Sequence, residues 1–375
     1  MWQPQGFYNQ YVLRTPVILS GEESIRGLYN YSAARIAVIH GTSFEDEELF
    51  KAAFSKKDVC FIKRSWTDEP DIEGLKGTIG QLEEYQPDTI IAVGGGSIID
   101  GSKLCRLFYE FPYFDVRSAR VNGKMMCTHF IAVPTTIGSG SEVSSAAVFV
   151  DRSKHRKDMV VLHELQPDVV VYDKRYVENT PNRLLCASAL DAMAHIVEGY
   201  VSNIENFLMD IMSEKGLSLL CSELQELIEG KKDTVNYQRL QYAGFIGGLV
   251  QNHSIVGAAH AIAHQLTEQG YSHGEAVALI LPVIIELNSN DNEAVAKYQK
   301  LAKEAGFSDI GELVSFIYKV LDYSGIGERQ EDLRILLRKL SGDALFFENV
   351  KNDRGGKGNP VDITDSYIEQ IIRRI

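Results

Sequence analysis

The sequence has no CxxC pair, no run of eighteen apolar residues and no excess of basic charge. Its five cysteines (Cys60, Cys105, Cys127, Cys186 and Cys221) are odd in number and widely spaced. That excludes a disulfide framework or a zinc knuckle as the organising element and suits reduced, mostly buried thiols. The lack of a long apolar run argues against a spanning helix. The N-terminus, MWQPQGFYNQYVL, has no basic region followed by an apolar stretch, so no signal peptide is expected and the expected location is the cytoplasm. A formal net charge of -13 argues against nucleic acid or an anionic membrane as the main partner, while leaving a small anionic substrate open. No internal repeat occurs.

What remains is an ordinary globular composition, 45% hydrophobic and 24% charged over 375 residues, long enough for two domains. The first half alternates short apolar runs with amphipathic stretches. ARIAVIH (34–40), DVCFIK (58–63) and DTIIAVGGG are each followed by a helical pattern, the signature of parallel βαβ units. HFIAVP (129–134), SAAVFVD (145–151) and DVVVYD (168–173) are further strands of this kind. After YVENTPNRL the character changes, with Thr180 reading as an N-cap and Pro181 as the first helical residue. From there FLMDIMSEKGLSLLCSELQELIEG, YQRLQYAGFIGGLVQ, EAVAKYQKLAKEAG and GELVSFIYKVL all follow a 3.6-residue period. The expectation is an α/β, Rossmann-like domain over 1–180 and an all-helical domain over 181–375.

Two segments carry chemistry. In IIAVGGGSIIDGSK a buried strand runs into Gly94-Gly95-Gly96 and then into a helix beginning near Ser97. Glycines let the backbone approach a pyrophosphate, and the helix N-terminus offers free N–H groups. Ser97 can cap the helix or donate to phosphate, and Asp100 can reach a ribose or nicotinamide edge. The turn is GGGS, not GxGxxG, and a tight strand-to-helix turn without a ligand has the same look. A second polar turn, VPTTIGSGSEVSS, also follows a strand, and two such loops at strand ends make a ligand crevice.

The second segment is a set of metal-ligand types. Asp191 and His195 stand at i and i+4 of one helix face, His260 and His264 repeat that spacing, and His273 follows. Each pair alone is equally a salt bridge or core histidines; five such residues in three segments suit a divalent metal with an open position. His40, His129, His155 and His163 do not join the pattern. His253, about two helical turns before His260, is placed to line the same pocket.

In combination, AVGGGSIIDGSK, VPTTIGSGSEV, ALDAMAHIVEGY and GAAHAIAHQL…SHGEAVALILP resemble the successive motifs of the iron-containing (group III) alcohol dehydrogenase family, and NDRGGKGNPVDIT is similar to that family's ending. The resemblance runs from about residue 10 to the end. It implies a Rossmann-like dinucleotide-binding domain and a helical metal domain, with a cleft between them. It implies Asp191, His195, His260 and His273 as metal ligands and His264 as a non-ligand proton carrier beside the nicotinamide, a role imidazole chemistry suits. Gly95, Gly96 and Ser97 match the pyrophosphate turn; Asp100, Thr135, Thr136 and Ser144 match other cofactor-contacting positions; Lys157 matches a lysine that reaches the cofactor ribose. The implied metal is Fe2+, with Zn2+, Mn2+ or Ni2+ able to occupy the same donors. The implied cofactor is NAD or NADP, and the implied assembly a homodimer joined through YNQYVLRTPVILSG.

Two positions depart from the family pattern. Gly41 stands where members often carry an aspartate that disfavours a 2′-phosphate, which leaves NAD against NADP open. Gln251 and His253 replace an aromatic and an asparagine, which points to a small polar alcohol or aldehyde. The function implied is reversible alcohol–carbonyl oxidoreduction, the metal serving as Lewis acid and the nicotinamide as hydride carrier. Rival readings are a glycerol or glycerol-1-phosphate dehydrogenase, a dehydroquinate synthase-type lyase, for which HGEAVAL is equally suited, and a non-catalytic protein keeping the fold. Such lyases usually carry a glutamate at the Asp191 position and lack the histidine four residues later.

Overall fold

The computed structural model describes residues 15–29, 31–42, 44–116, 126–152 and 156–375. His155, and the first half of the N-terminal segment expected to join a dimer (8–14), lie outside the described residues. Eight strands are described: β1 (Val17–Ser20), β2 (Arg35–His40), β3 (Asp58–Lys63), β4 (Thr89–Gly94), β5 (His129–Pro134), β6 (Ala146–Asp151), β7 (Arg156–Val161) and β8 (Val169–Tyr172). All except β6 and β7 form one parallel sheet in the order β1-β8-β5-β4-β2-β3. The central strands are apolar on both faces, as in β4, where Ile90, Ile91, Ala92 and Val93 are all buried. Such a strand is stable only with both faces of the sheet covered. Helices α1 (Glu47–Ala53), α2 (Ile72–Tyr85) and α3 (Gly96–Glu110) make the crossovers.

Strand β2 is followed by its outer neighbour β3, whereas the chain then returns to place β4 on the other side of β2. The order reverses between β2 and β4, and this switch point opens a crevice at the strands' C-terminal ends. Gly41 leaves β2 there, and the glycine turn leaves β4.

One strand expected from sequence lies outside the parallel sheet. The SAAVFVD run does not extend the parallel series; β6 pairs antiparallel with β7, from Ala146↔Val161 to Asp151↔Arg156. The short connection after Asp151 permits only an antiparallel neighbour, since a parallel one needs a crossover of a dozen residues or more. Strand β7 contains Lys157 and was not read as a strand because Arg156, Lys157 and Asp158 mask its apolar half.

Beyond β8 every described element is helical: α4 (Arg175–Glu178), α5 (Asn182–Val201), α6 (Phe207–Ile228), α7 (Tyr237–Ser254), α8 (Ala258–Leu266), α9 (His273–Asn288), α10 (Asn292–Glu304), α11 (Ile310–Ser324), α12 (Gln330–Leu340), α13 (Ala344–Asn352) and α14 (Asp365–Arg374), with short 3-10 turns between some of them. Helix α5 starts one residue later than the Thr-Pro pair predicts, with Pro181 at the N-cap and no side chain capping it. It is long and apolar enough to cross a membrane by composition, but 89% of that stretch is buried inside the fold. It is the core helix, packed against α6, α7, α9, α10 and α11.

The loop from β5 to β6 (135–145) leaves the sheet and lies on α5 and α7. A Cβ at Gly138 would stand 1.9 Å from the Ser188 carbonyl oxygen and 3.0 Å from Asp191 Cβ. Gly140, at φ +63°, would place one 2.4 Å from both Gly248 Cα and Gln251 Nε2. Only glycine permits either approach.

Candidate active site

Helix α5 is buried around most of its circumference, and Asp191, His195 and Glu198 follow one another along one stripe of it at i, i+4 and i+7. Helix α8 supplies His260 and His264, and α9 begins with His273. Ligand-capable atoms of Asp191, His195 and His260 all lie within 4.8 Å of one another. His260 Nε2 and His273 Nε2 stand 3.5 and 3.6 Å from Asp191 Oδ1. The rings of His195 and His260 stack at 4.6 Å, and those of His264 and His273 at 5.2 Å.

Four atoms in this cluster are buried without a hydrogen-bond partner: Asp191 Oδ1, His195 Nδ1, His260 Nε2 and His273 Nδ1. Buried polar atoms left unpaired cost on the order of 1–3 kcal/mol each, so their concentration in one place calls for a ligand. A carboxylate and imidazoles around one point fit a divalent transition metal. The electrostatics agree. Burial pushes His195 down to about 4 against the pull of Asp191, and burial holds His273 well below the usual imidazole range. Burial also opposes ionisation of Asp191, yet the surrounding His195, His273 and His260 hold its carboxyl well below the ordinary range. His260 differs: burial lowers it, but the Asp191 carboxylate facing Nε2 at 3.5 Å and the Glu198 carboxylate at Nδ1 outweigh that and lift it to about 9.

Glu198 is the residue that sequence reading missed. Its Oε2 lies 2.6 Å from His260 Nδ1, and its Oε1 accepts from the Ala259 N–H at 2.7 Å. A carboxylate only accepts, so His260 Nδ1 carries the proton and Nε2 is turned to the cluster. The signal was present as the next polar residue on the Asp191–His195 face. His264 has its own partner, Nδ1 donating to Asp353 Oδ2 at 2.9 Å. Asp353 also accepts from the Gly355 N–H at 2.8 Å, and despite burial its carboxyl is held below the ordinary range, chiefly by His264. This pairing gives the turn-rich C-terminal segment a place at the site.

The cluster opens into a cleft of about 520 Å³. Of the residues singled out from sequence, Asp191, His195, His260, His264, His273, Gly96, Ser97, Asp100, Thr136, Ser144 and Lys157 line it. Gly95 and Thr135 stand behind the lining: Gly95 is the N-cap of α3, and Thr135 N–H donates to the Gly94 carbonyl at 3.1 Å. His40, His129 and His163 do not line it, whereas His253 does.

At the glycine end, polar groups are engaged with one another. Ser97 Oγ donates to the Asp68 carbonyl, and Arg64 Nη1 donates to Ser97 Oγ at 3.3 Å. Lys157 Nζ pairs with Glu69 Oε1 at 2.8 Å. Asp100 lines the cleft but is largely buried, accepts from the Val148 N–H at 3.1 Å and faces Lys103 Nζ at 3.4 Å. Lys103, also unread at first, donates to Ser144 O at 3.1 Å and to Ala146 O at 2.6 Å, fixing the second polar loop. Gln251 and His253 are partly committed as well, Gln251 Nε2 donating to Ser139 O at 2.8 Å and His253 Nδ1 lying 2.8 Å from Leu249 O. Met159, Val161, Leu184, Ile255 and Val256 make much of the remaining wall apolar.

Residues 16–174 match the family model described as iron-containing alcohol dehydrogenase, and residues 185–375 match the Fe-containing alcohol dehydrogenase family C-terminal model. The sequence is 28% identical over 316 residues to an alcohol dehydrogenase of Thermococcus barophilus, covering 82% of each chain. It is 29% identical over 262 residues to the aldehyde-alcohol dehydrogenase of Streptococcus pneumoniae, of whose length the match spans 30%. The fold superposes on the iron-containing alcohol dehydrogenase of Thermococcus thioreducens with a TM-score of 0.85 at 24% identity, covering 97% of this chain and 99% of that one.

Proposed function

The chain belongs to the iron-containing alcohol dehydrogenase family, and on that premise we propose that it is a metal-dependent, NAD(P)-linked alcohol dehydrogenase and aldehyde reductase. The observation that carries this reading is one cleft with a cluster of unpartnered ligand atoms at one end and a strand–glycine–helix turn at the other.

Asp191, His195, His260 and His273 would hold the cation, and the α3 N-terminus with Gly95, Gly96 and Ser97 would hold the pyrophosphate of the cofactor. When bound, the cation supplies Lewis acidity toward an alcohol or carbonyl oxygen, and the nicotinamide supplies hydride transfer. The chain's own residues orient and exclude. Glu198 fixes the His260 tautomer, and the loop through Thr136 and Ser144 closes the cofactor side. His264, steered by Asp353 at Nδ1, presents Nε2 to carry the hydroxyl proton to or from solvent. Lys157, held by Glu69 at 2.8 Å, would exchange that contact for a ribose.

The apolar wall favours a small alcohol or aldehyde with a short carbon chain, and Gln251 and His253 leave room for a polar substituent. The same reading divides the chain near residue 180 into a nucleotide domain and a metal domain. It takes the exposed Val17 and Ile18 at the sheet edge as part of a homodimer contact, and places the enzyme in the cytoplasm. The test is a panel of alcohols and aldehydes with NAD(H) and NADP(H), using protein stripped of metal and reloaded anaerobically with Fe2+ or with Zn2+. Metal-dependent net change in reduced nicotinamide supports the reading. Product formation without net change would favour a lyase that recycles its cofactor.

A further inference from the structure

Ile255 joins α7 to the ligand-bearing α8 with φ 60° and ψ 159°. It is the one β-branched residue with positive φ among the described residues, in a region where a branched side chain crowds its own backbone. Such a conformation persists only where its surroundings over-determine it, and here they do. Before it, the Ser254 carbonyl accepts from Ser202 Oγ. After it, the Val256 carbonyl oxygen lies so close to Gly358 that a Cβ there would be 2.3 Å away. The Ala258 N–H donates to Asn359 Oδ1 at 3.2 Å, and the Ala259 N–H to Glu198. Three residues thus turn the chain from one helix to the next, and Ile255 is left half-buried in the cleft wall with Gln251, His195 and His260.

We propose that Ile255 is a specificity-determining residue: a strained turn holds its side chain in the cleft wall beside the ligand cluster, where it limits the carbon chain the site accepts. The inference rests on the alcohol dehydrogenase reading and adds a size limit to it. Val256, next in the turn, also lines the cleft but is more deeply buried, so Ile255 presents the more accessible side of this stretch of wall.

The test uses the metal-loaded full chain and the variants Ile255→Ala and Ile255→Gly. Both should raise kcat/KM for longer and branched primary alcohols relative to ethanol by roughly tenfold, the effect of vacating a methylene-sized space. Thermal unfolding reads the strain separately. At an ordinary position alanine is the more stable of the two, but at positive φ the order inverts, so Ile255→Gly should unfold at the higher temperature. An unchanged selectivity ratio in both variants of an active parent overturns the size limit, and Ile255→Ala unfolding at or above Ile255→Gly overturns the strained turn. A parent that oxidises none of the panel overturns the functional reading, and the size limit with it.

Discussion

The two ends of the cleft are built on opposite principles. At the helical end, Asp191 Oδ1, His195 Nδ1, His260 Nε2 and His273 Nδ1 are buried and unpartnered. At the glycine end nearly every polar group has a partner within the chain: Ser97 with Asp68, Lys157 with Glu69, Asp100 with Lys103 and Val148. The first arrangement has one job and holds its geometry in advance. The second exchanges internal contacts for ligand contacts, which suits a cofactor that must enter and leave with each turnover. A cation site therefore declares itself by missing partners, and a nucleotide site by replaceable ones.

The comparison is broken most completely at the helical end. His260→Ala should remove metal and turnover together, seen as an empty site by elemental analysis and no change in nicotinamide absorbance; a metal-free variant that kept full activity would sink the scheme. Glu198→Ala should leave the ligands in place yet weaken metal binding by roughly 10–100-fold, the usual cost of losing a carboxylate behind a histidine ligand. Competition with a chromophoric chelator measures it, and Glu198→Gln should recover part of the loss.

Proton linkage sharpens the contrast. His260 titrates at about 9 in the metal-free protein, whereas His195 and His273 are already neutral at pH 7. A cation must displace one proton from His260 below that pH, so affinity should rise with pH by up to about tenfold per unit and level off near 9. Flat affinity between pH 6 and 8 would mean that His260 is not the ligand that sets it.

At the replaceable end the effects should be smaller and confined to the cofactor. Gly41→Asp puts a carboxylate at the β2 exit beside Ile98 and should weaken use of NADP+ by roughly fivefold, the ~1 kcal/mol of a solvent-exposed like-charge contact, with NAD+ kinetics changing less. Lys157→Met should raise the cofactor KM only a few-fold, since Glu69 already holds the lysine in the free protein. A collapse of metal content in either variant would erase the distinction between the two ends.

Much of this was legible in the residues. Short apolar runs and 3.6-residue patterns located the strands and helices, and the i, i+4 spacings drew attention to Asp191, His195, His260 and His264, which the fold brings together, because both depend on local period. The β6–β7 hairpin was not legible as such: choosing an antiparallel partner depends on which neighbour the chain can reach, and the polar start of β7 hid its strand. Glu198 and Asp353 were missed for a related reason. Each acts on a histidine 62 or 89 residues away; Glu198 shares the Asp191–His195 face, but no local pattern names the distant histidine either residue holds. Asp100 lines the cleft, but its bond from the Val148 N–H depends on β6 lying against α3, which no local pattern shows.

The loop carrying Gly138 and Gly140 gives the proposed division near residue 180 a particular meaning. It belongs to the first half by sequence, yet its backbone is the floor under Ser188 and Asp191 and interlocks with Gly248 on α7. Splitting the gene between α4 and α5 would separate the helices that carry Asp191, His195, His260 and His273 from a surface that their own half does not encode. Complementation from two fragments, or exchange of one half between relatives, should succeed only when the break is moved so that residues 135–145 travel with α5 and α7.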